Sequence, residues 1–374
     1  MAQTQTKAQN HFVPRSYLKR WSPDGHRVWT YRLLVPHDNV DEWSLLSIKT
    51  LASRLHLYTQ ALPEGESDDL ERWLQADFED PAKLAIDRLE AGRTLGRRDY
   101  VRLFRFCAAQ DVRTEASYRR HVERVTSPEA IGMVREILES APERYAEYLR
   151  DCAEAAEQGL PLPLPHARDA QQHPMMYGAE GRKRPPGPPT HKVTQKRIEG
   201  EGAFIGAKVN TGRSHWVNAI YRNLDVNIAA LSRHRWTVMR PPEGMTWPTS
   251  DDPVIKLNFR SPTEYTFGGG WASPGTEIML PLSPQHLLYT QIGSTHVPKE
   301  GTRFNRKWAE FIRRMIVEHS YLYVFADAHD QFLPFAKRRT VDAAAHKALH
   351  EGWKRWHAKQ SEVEREFYAD EDAS

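Results

Sequence analysis

Arg27-Val-Trp-Thr-Tyr-Arg-Leu33 alternates Val28, Thr30 and Arg32 with Trp29, Tyr31 and Leu33. That period of two marks a half-buried β-strand. Ser22-Pro-Asp-Gly25, just before it, has the residues of a tight reversal. Near the other end of the chain Tyr321-Leu-Tyr-Val-Phe325 is a second run of β-formers. A long helical stretch lies between the two. Strands at both ends of a helical centre predict an α+β body, its N- and C-terminal strands in a mixed or antiparallel sheet and its last helix packed outside.

Working outward, residues 11–60 read as strands and turns, with Leu55-His-Leu-Tyr58 another short strand. Residues 68–158 read as helical. Asp68 and Asp69 cap a helix with Leu70, Trp73, Leu74 and Phe78 on one face, and Pro81 opens a second that Gly92 ends. Asp99 caps a third helix running to about His121, and Ser127-Pro128 opens a fourth. Residues 160–200 change character. Leu160-Pro-Leu-Pro-Leu-Pro165 and Arg182-Lys-Arg-Pro-Pro-Gly-Pro-Pro189 can continue neither a helix nor a central strand, so this stretch is a basic, Pro-rich insertion or linker. Mixed structure returns over 201–335, a terminal helix covers 341–367, and an acidic tail fills 368–374. One domain is expected over 11–325.

The 374 residues are 40% hydrophobic and 27% charged, inside the globular range. A net charge of +3 permits nucleic acid as a partner without demanding it. Two cysteines, Cys107 and Cys152, cannot build a disulfide framework, which points to a reducing, cytoplasmic home. Cys107, set among apolar neighbours, reads as a buried thiol. No apolar run approaches the roughly 20 residues that span a bilayer, and Met1–Asn10 lacks the apolar segment of a secretory signal. No membrane partner is expected, and oligomeric state is not legible.

Three polar features invite chemistry. Pro14 pushes Val13 to extended geometry, so His11 sits on an extended segment as a base, a phosphate contact or an anchor of the N-terminus. Gln110 and Arg113, three apart, share a helix face. The arginine suits either bidentate contact with a phosphate or a buried pair with an acid such as Glu79 or Asp80. Asp251 in Pro248-Thr-Ser-Asp-Asp-Pro253 is a metal ligand, a base or ordinary turn chemistry. His346 and His350 lie four apart, but Lys347 stands where a metalloprotease helix carries Glu, so they read as a solvated face. No Gly-x-Ser-x-Gly supports an esterase.

His11-Phe-Val-Pro-Arg-Ser-Tyr-Leu18, Gln110-x-x-Arg113-Thr114, Trp236, Thr249-Ser-Asp-x-Pro-Val254, Leu280-Pro-Leu-Ser-Pro284 and Asn305 occur in that order. The set resembles the bacterial family known as domain of unknown function 4238, over residues 11–325. Trp21 stands where a Phe is commoner in the family. The resemblance implies a bacterial cytoplasmic protein and no particular activity. It singles out His11, Gln110, Arg113, Ser250 and Asp251 as the polar positions matching the motifs.

Two functions are therefore expected to compete. One is a metal-dependent nuclease, or another phosphodiester or nucleotide hydrolase, with a toxin or phage-defence role. His11, Gln110, Arg113 and Asp251 would be catalytic, Asp251 and Glu79 would hold Mg²⁺ or Mn²⁺, and Arg15, Tyr17, Ser250 and Asn305 would bind nucleic acid or nucleotide. The other is a non-catalytic ligand- or nucleic-acid-binding protein whose polar motifs are structural. Convergence in one open cleft favours the first; burial as closed pairs favours the second.

Overall fold

Both ends of the chain enter one sheet. In the computed structural model, β2 (Arg27–Arg32) lies between β4 (Trp43–Ser47) and β16 (Tyr323–Ala326), and β11 (Thr249–Ser250) flanks β16. All neighbours are antiparallel, with Arg32 opposite Tyr323 and Trp29 opposite Ala326. Val28 and Thr30, on one face of the alternation, are buried. Tyr31 on the other face is buried too, because Leu33, Trp43, Val317, Val324 and Leu333 cover that side. The structure describes residues 9–63, 65–133, 136, 187–188, 191–198, 202–210 and 212–369.

A second antiparallel sheet has the order β10 (Thr237–Met239), β15 (His286–Gln291), β14 (Glu277–Ser283), β12 (Ile255–Ser261) and β13 (Glu264–Thr266). Shorter pairs join β1 (Gln9–His11) to β5 (Ser53–Leu55), β6 (Gln60–Leu62) to β7 (Gly65–Ser67), and β8 (His191–Ile198) to β9 (Gly202–Val209). β3 (Leu34–Val35) and β17 (Thr340–Val341) run parallel. β5 ends where expected strand Leu55–Tyr58 would begin, because His56 takes a left-handed φ of 54° that no strand tolerates.

The helices are α1 (Arg15–Leu18), α2 (Asp69–Leu74), α3 (Asp80–Glu90), α4 (Arg97–Arg113), α5 (Glu115–Val125), α6 (Arg213–Leu231), α7 (Arg306–His319), α8 (Leu333–Ala336) and α9 (Ala343–Ala369). A π turn over Gln75–Glu79 links α2 to α3 without a break. What reads in sequence as one helix from Asp99 to about His121 is two. Asp99 is the third residue of α4, where its carboxylate accepts from Gly96 N at 3.0 Å. Thr114 ends α4 by turning extended, and its Oγ1 accepts from Ser117 N at 3.1 Å to cap α5.

The main core gathers Phe12, Leu18 and Trp21 from the N-terminus, Leu103 and Ala108 from α4, Trp216 and Leu224 from α6, and Leu280 and Leu288 from the second sheet. Each such large side chain contributes about 1.5–3 kcal/mol on burial. Cys107 is buried there. α9 packs outside on its Ser361, Glu364 and Phe367 face. Among the described residues no helix is long and apolar enough to cross a membrane. Most of the helix expected after Ser127, Leu160–Pro165, Cys152, Arg182-Lys183-Arg184 and the tail from 370 onward lie outside the described residues.

Candidate functional site

Arg113 is the last residue of α4, and its side chain is wholly buried. Its Nη1 donates to the Glu79 carboxylate, and its Nη2 donates to the His11 carbonyl at 2.6 Å and lies 3.4 Å from Glu71 Oε2. Tyr58 closes the group: its hydroxyl donates to the Arg113 carbonyl at 2.6 Å, and its ring lies under the guanidinium. Burial works against the cation, but Glu79, Tyr58 and Glu71 hold the Arg113 pKa above its ordinary value. Glu79 comes from the π turn, whose extra residue re-aims the helix face. Arg113 thus forms the buried acid pair with Glu79.

The His11 imidazole donates from Nε2 to the Lys49 carbonyl at 3.1 Å. Burial, with Arg15 and Arg113 nearby, pulls its pKa down to about 4, so it is neutral at pH 7. Gln110, one turn before Arg113, is fully buried, and neither amide atom has a hydrogen-bond partner among the described residues. Tyr17 is buried with its hydroxyl 2.7 Å from Thr249 Oγ1 and 2.6 Å from the Pro281 carbonyl, so α1 is tied to both sheets. Arg15 is exposed.

Asp251 accepts from Tyr321 N at 2.9 Å and Leu322 N at 2.7 Å, fastening the turn between α7 and β16. Burial, aided by the charge of Asp252, pushes its pKa up to about 7 against those donors. Ser250 Oγ accepts from Asp252 N at 3.2 Å. Asn305 caps α7, its Oδ1 accepting from Trp308 N at 2.9 Å. His11, Glu79 and Arg113 therefore meet as a closed unit. Ser250 and Asp251 join it indirectly, through Thr114 Oγ1 and Asp252 Oδ1 at 2.9 Å.

An open hollow lies against this framework. It has a volume of about 310 Å³ and is walled by α4, α5, α6 and β12. Lys256 Nζ sits 2.9 Å from the Asp111 carboxylate and 4.9 Å from the Trp271 ring centroid. Arg120 Nη1 donates to Asp252 Oδ2 at 2.6 Å. Burial opposes the Asp252 charge, but His319 and Arg120 hold that carboxyl below its usual range. Arg124 Nη2 lies 3.4 Å from His121 Nδ1, so His121 Nε2 carries the proton it gives His215 Nδ1 at 2.8 Å. Burial, His215 and Arg124 lower the His121 pKa to about 4. Asn227 is 8% exposed, lines the same hollow and has no side-chain hydrogen bond among the described residues.

Arg120, His121 and Lys256 escape a motif reading because cations on solvated helix faces and strand ends are common. Asp111, between Gln110 and Arg113, was the available signal: one residue on, its face turns from the closed unit to the hollow. Among the described residues one group has metal-ligand geometry, His56, Glu66 and His357, with ligand atoms within 4.8 Å of one another. Arg213 Nη1 donates to His357 Nδ1 at 2.9 Å, which leaves the His357 Nε2 proton directed at Glu66. Both ring nitrogens of His357 are thus already engaged. Asp251 and Glu79, expected as metal ligands, are not in this group.

The profile of a protein family described as "Protein of unknown function (DUF4238)" matches residues 9–330. No curated protein and no solved structure matches the chain.

Proposed function

The chain belongs to the DUF4238 family, whose description names no activity, and from that premise we propose that the hollow beside the motif framework binds a phosphate-bearing small molecule of the nucleotide class. The observation that carries this reading is the convergence of Arg120, Arg124 and Lys256 on one cavity that also presents Asn227 and the half-buried Trp271; Arg120 and Lys256 keep N–H groups beyond those given to Asp252 and Asp111. Cations suit the phosphate, the Trp271 indole suits the face of a base, and an unpartnered amide suits its polar edge. The volume falls in the range of small-molecule sites.

A nuclease or other hydrolase asks for more. It needs carboxylates free to hold Mg²⁺ or Mn²⁺, or a base free to take a proton. Asp111 is engaged by Lys256, Asp252 by Arg120, and Asp251 by two backbone N–H groups. Binding, with His11, Arg113 and Asp251 as its supporting frame, is the better supported function.

Titration calorimetry on the full chain with AMP, ATP, adenosine and inorganic phosphate tests it. The nucleotides bind, adenosine binds at least tenfold more weakly, and Lys256→Ala or Arg124→Ala weakens AMP by about tenfold or more, as loss of one charge-assisted contact does. Equal affinity for adenosine and AMP, or affinities untouched by both variants, would sink the proposal.

A further inference from the structure

A second polar hollow, of about 270 Å³, opens between the end of α3 and strands β10 and β15, and shares no lining residue with the first. Arg93, Arg240, Arg303, His286 and Glu300 line it. His286 opens β15 just after the register shift at Pro281/Ser283 and is 5% exposed. Its Nδ1 lies 2.9 Å from Ser283 Oγ, while its Nε2 is buried with no hydrogen-bond partner among the described residues. Ser283 Oγ already accepts from Gln285 N at 3.3 Å; in the tautomer where it gives its own proton to Nδ1, the imidazole proton stands on Nε2. A buried N–H without an acceptor is costly and therefore rare.

The charges around it are equally one-sided. Arg240 is held beside Arg303 by its backbone, which donates to the Thr302 carbonyl and accepts from Phe304 N, both at 2.9 Å. Its partly buried guanidinium has no hydrogen bond or ion pair among the described residues. Arg303 Nη1 donates to the Pro241 carbonyl at 2.8 Å and has further N–H groups to spare. The acid in the wall, Glu300, is committed elsewhere: one oxygen accepts from the Tyr100 hydroxyl at 2.5 Å and the other from Leu95 N at 3.3 Å. The carbonyls that end α3 are answered as well, by Ala91 N, Gly92 N and Arg93 N, each at 3.0 Å.

We propose that this hollow is an oxyanion site of the phosphate class, in which Arg240 and Arg303 hold the charge and the His286 Nε2–H donates to one oxygen. The guanidinium supplies a planar fork, and the imidazole supplies a fixed donor already cleared of water. Arg93, exposed at the rim, adds charge that draws the anion in. The site is independent of the nucleotide hollow and stands if that reading fails.

The test is nuclear magnetic resonance on full-length chain with ¹⁵N-labelled histidine, carrying Lys256→Ala and Arg124→Ala so that the first hollow does not report. Inorganic phosphate, glycerol phosphate and chloride are titrated at matched ionic strength. The His286 ring resonance is expected to move saturably with the two phosphates and not with chloride, and Arg240→Met is expected to weaken saturation at least tenfold. Tighter saturation by glycerol phosphate would assign the anion to a larger molecule; tighter saturation by inorganic phosphate would assign it as free. A His286 signal that ignores phosphate, or that follows chloride equally, overturns the site.

Discussion

Arg213 and Glu364 face one another as a two-bond pair, with Nε to Oε1 at 2.9 Å and Nη2 to Oε2 at 2.5 Å, and both side chains are withdrawn from solvent. Glu364 also accepts from Ala61 N at 2.8 Å and Ser214 Oγ at 3.0 Å. One carboxylate thus ties α9, which begins beyond the matched residues 9–330, to the start of α6 and to β6. Glu364→Ala leaves a buried guanidinium with no counter-charge in that pair, and a loss of about 3–5 kcal/mol in folding stability is expected. Urea unfolding measures it. Replacing both members, Arg213→Met with Glu364→Leu, is expected to recover most of the loss, because the penalty belongs to the unpaired charge.

How much of this was legible follows the range of each interaction. β2 was readable because period-two alternation is local, and so was the run of β-formers at Tyr321–Phe325 that holds β16. The break at Thr114 was not. A threonine inside a helical run looks ordinary until Asp252, 138 residues away, is there to take its hydroxyl proton. The π turn that re-aims Glu79 has no periodic signature either. The chemistry of arginine offered Arg113 a ligand or an acid as partner, but choosing between a ligand and Glu79 needed the fold. Lys256 and Asp111, 145 residues apart, had no shared pattern to betray them.

Arg113 separates a structural arginine from a ligand-binding one. Arg113→Met leaves the Glu79 and Glu71 carboxylates without their cation and the His11 carbonyl without its donor. Stability is expected to fall by about 3–5 kcal/mol. AMP affinity of the fraction that remains folded, read by calorimetry at low temperature, is expected to stay within about threefold of wild type, under 1 kcal/mol. A variant as stable as wild type but unable to bind would place the guanidinium in a ligand site.

Tyr17→Phe removes one hydroxyl and nothing else. That hydroxyl bridges Thr249 Oγ1 and the Pro281 carbonyl, joining α1 to both sheets in the dry interior. Burial drives its pKa well above the ordinary phenol value, so it acts as a neutral donor throughout the accessible pH range. Losing it leaves a buried carbonyl unanswered and is expected to cost about 1–3 kcal/mol. Thermal melting and urea titration check this, and unchanged AMP binding separates the effect from substrate contact.

Acid stability follows from three buried groups and the half-buried His11, with opposed signs. Burial lowers His11, His121 and His286 from 6.5 to about 4. Between those values the unfolded chain binds protons at three sites where the native chain does not, so their contribution is complete above pH 6.5 and is lost as pH falls toward 4. Asp251 runs the other way. Burial raises it from 3.8 to about 7, so its native form holds a proton that the unfolded form has released, and stability declines as pH rises through that window. Three imidazoles outweigh one carboxyl, and urea midpoints are expected to drop as pH is lowered from about 7 to about 4.5. His121→Asn is expected to flatten that slope. Asp251→Asn is expected to steepen it, and also to cost about 1–3 kcal/mol at all pH, because an amide oxygen cannot accept from both Tyr321 N and Leu322 N in the way two carboxylate oxygens do. A slope unchanged in His121→Asn would mean that this ring is already protonated in the native protein near pH 6, and that the Arg124–His121–His215 chain is not the neutral relay its spacing implies.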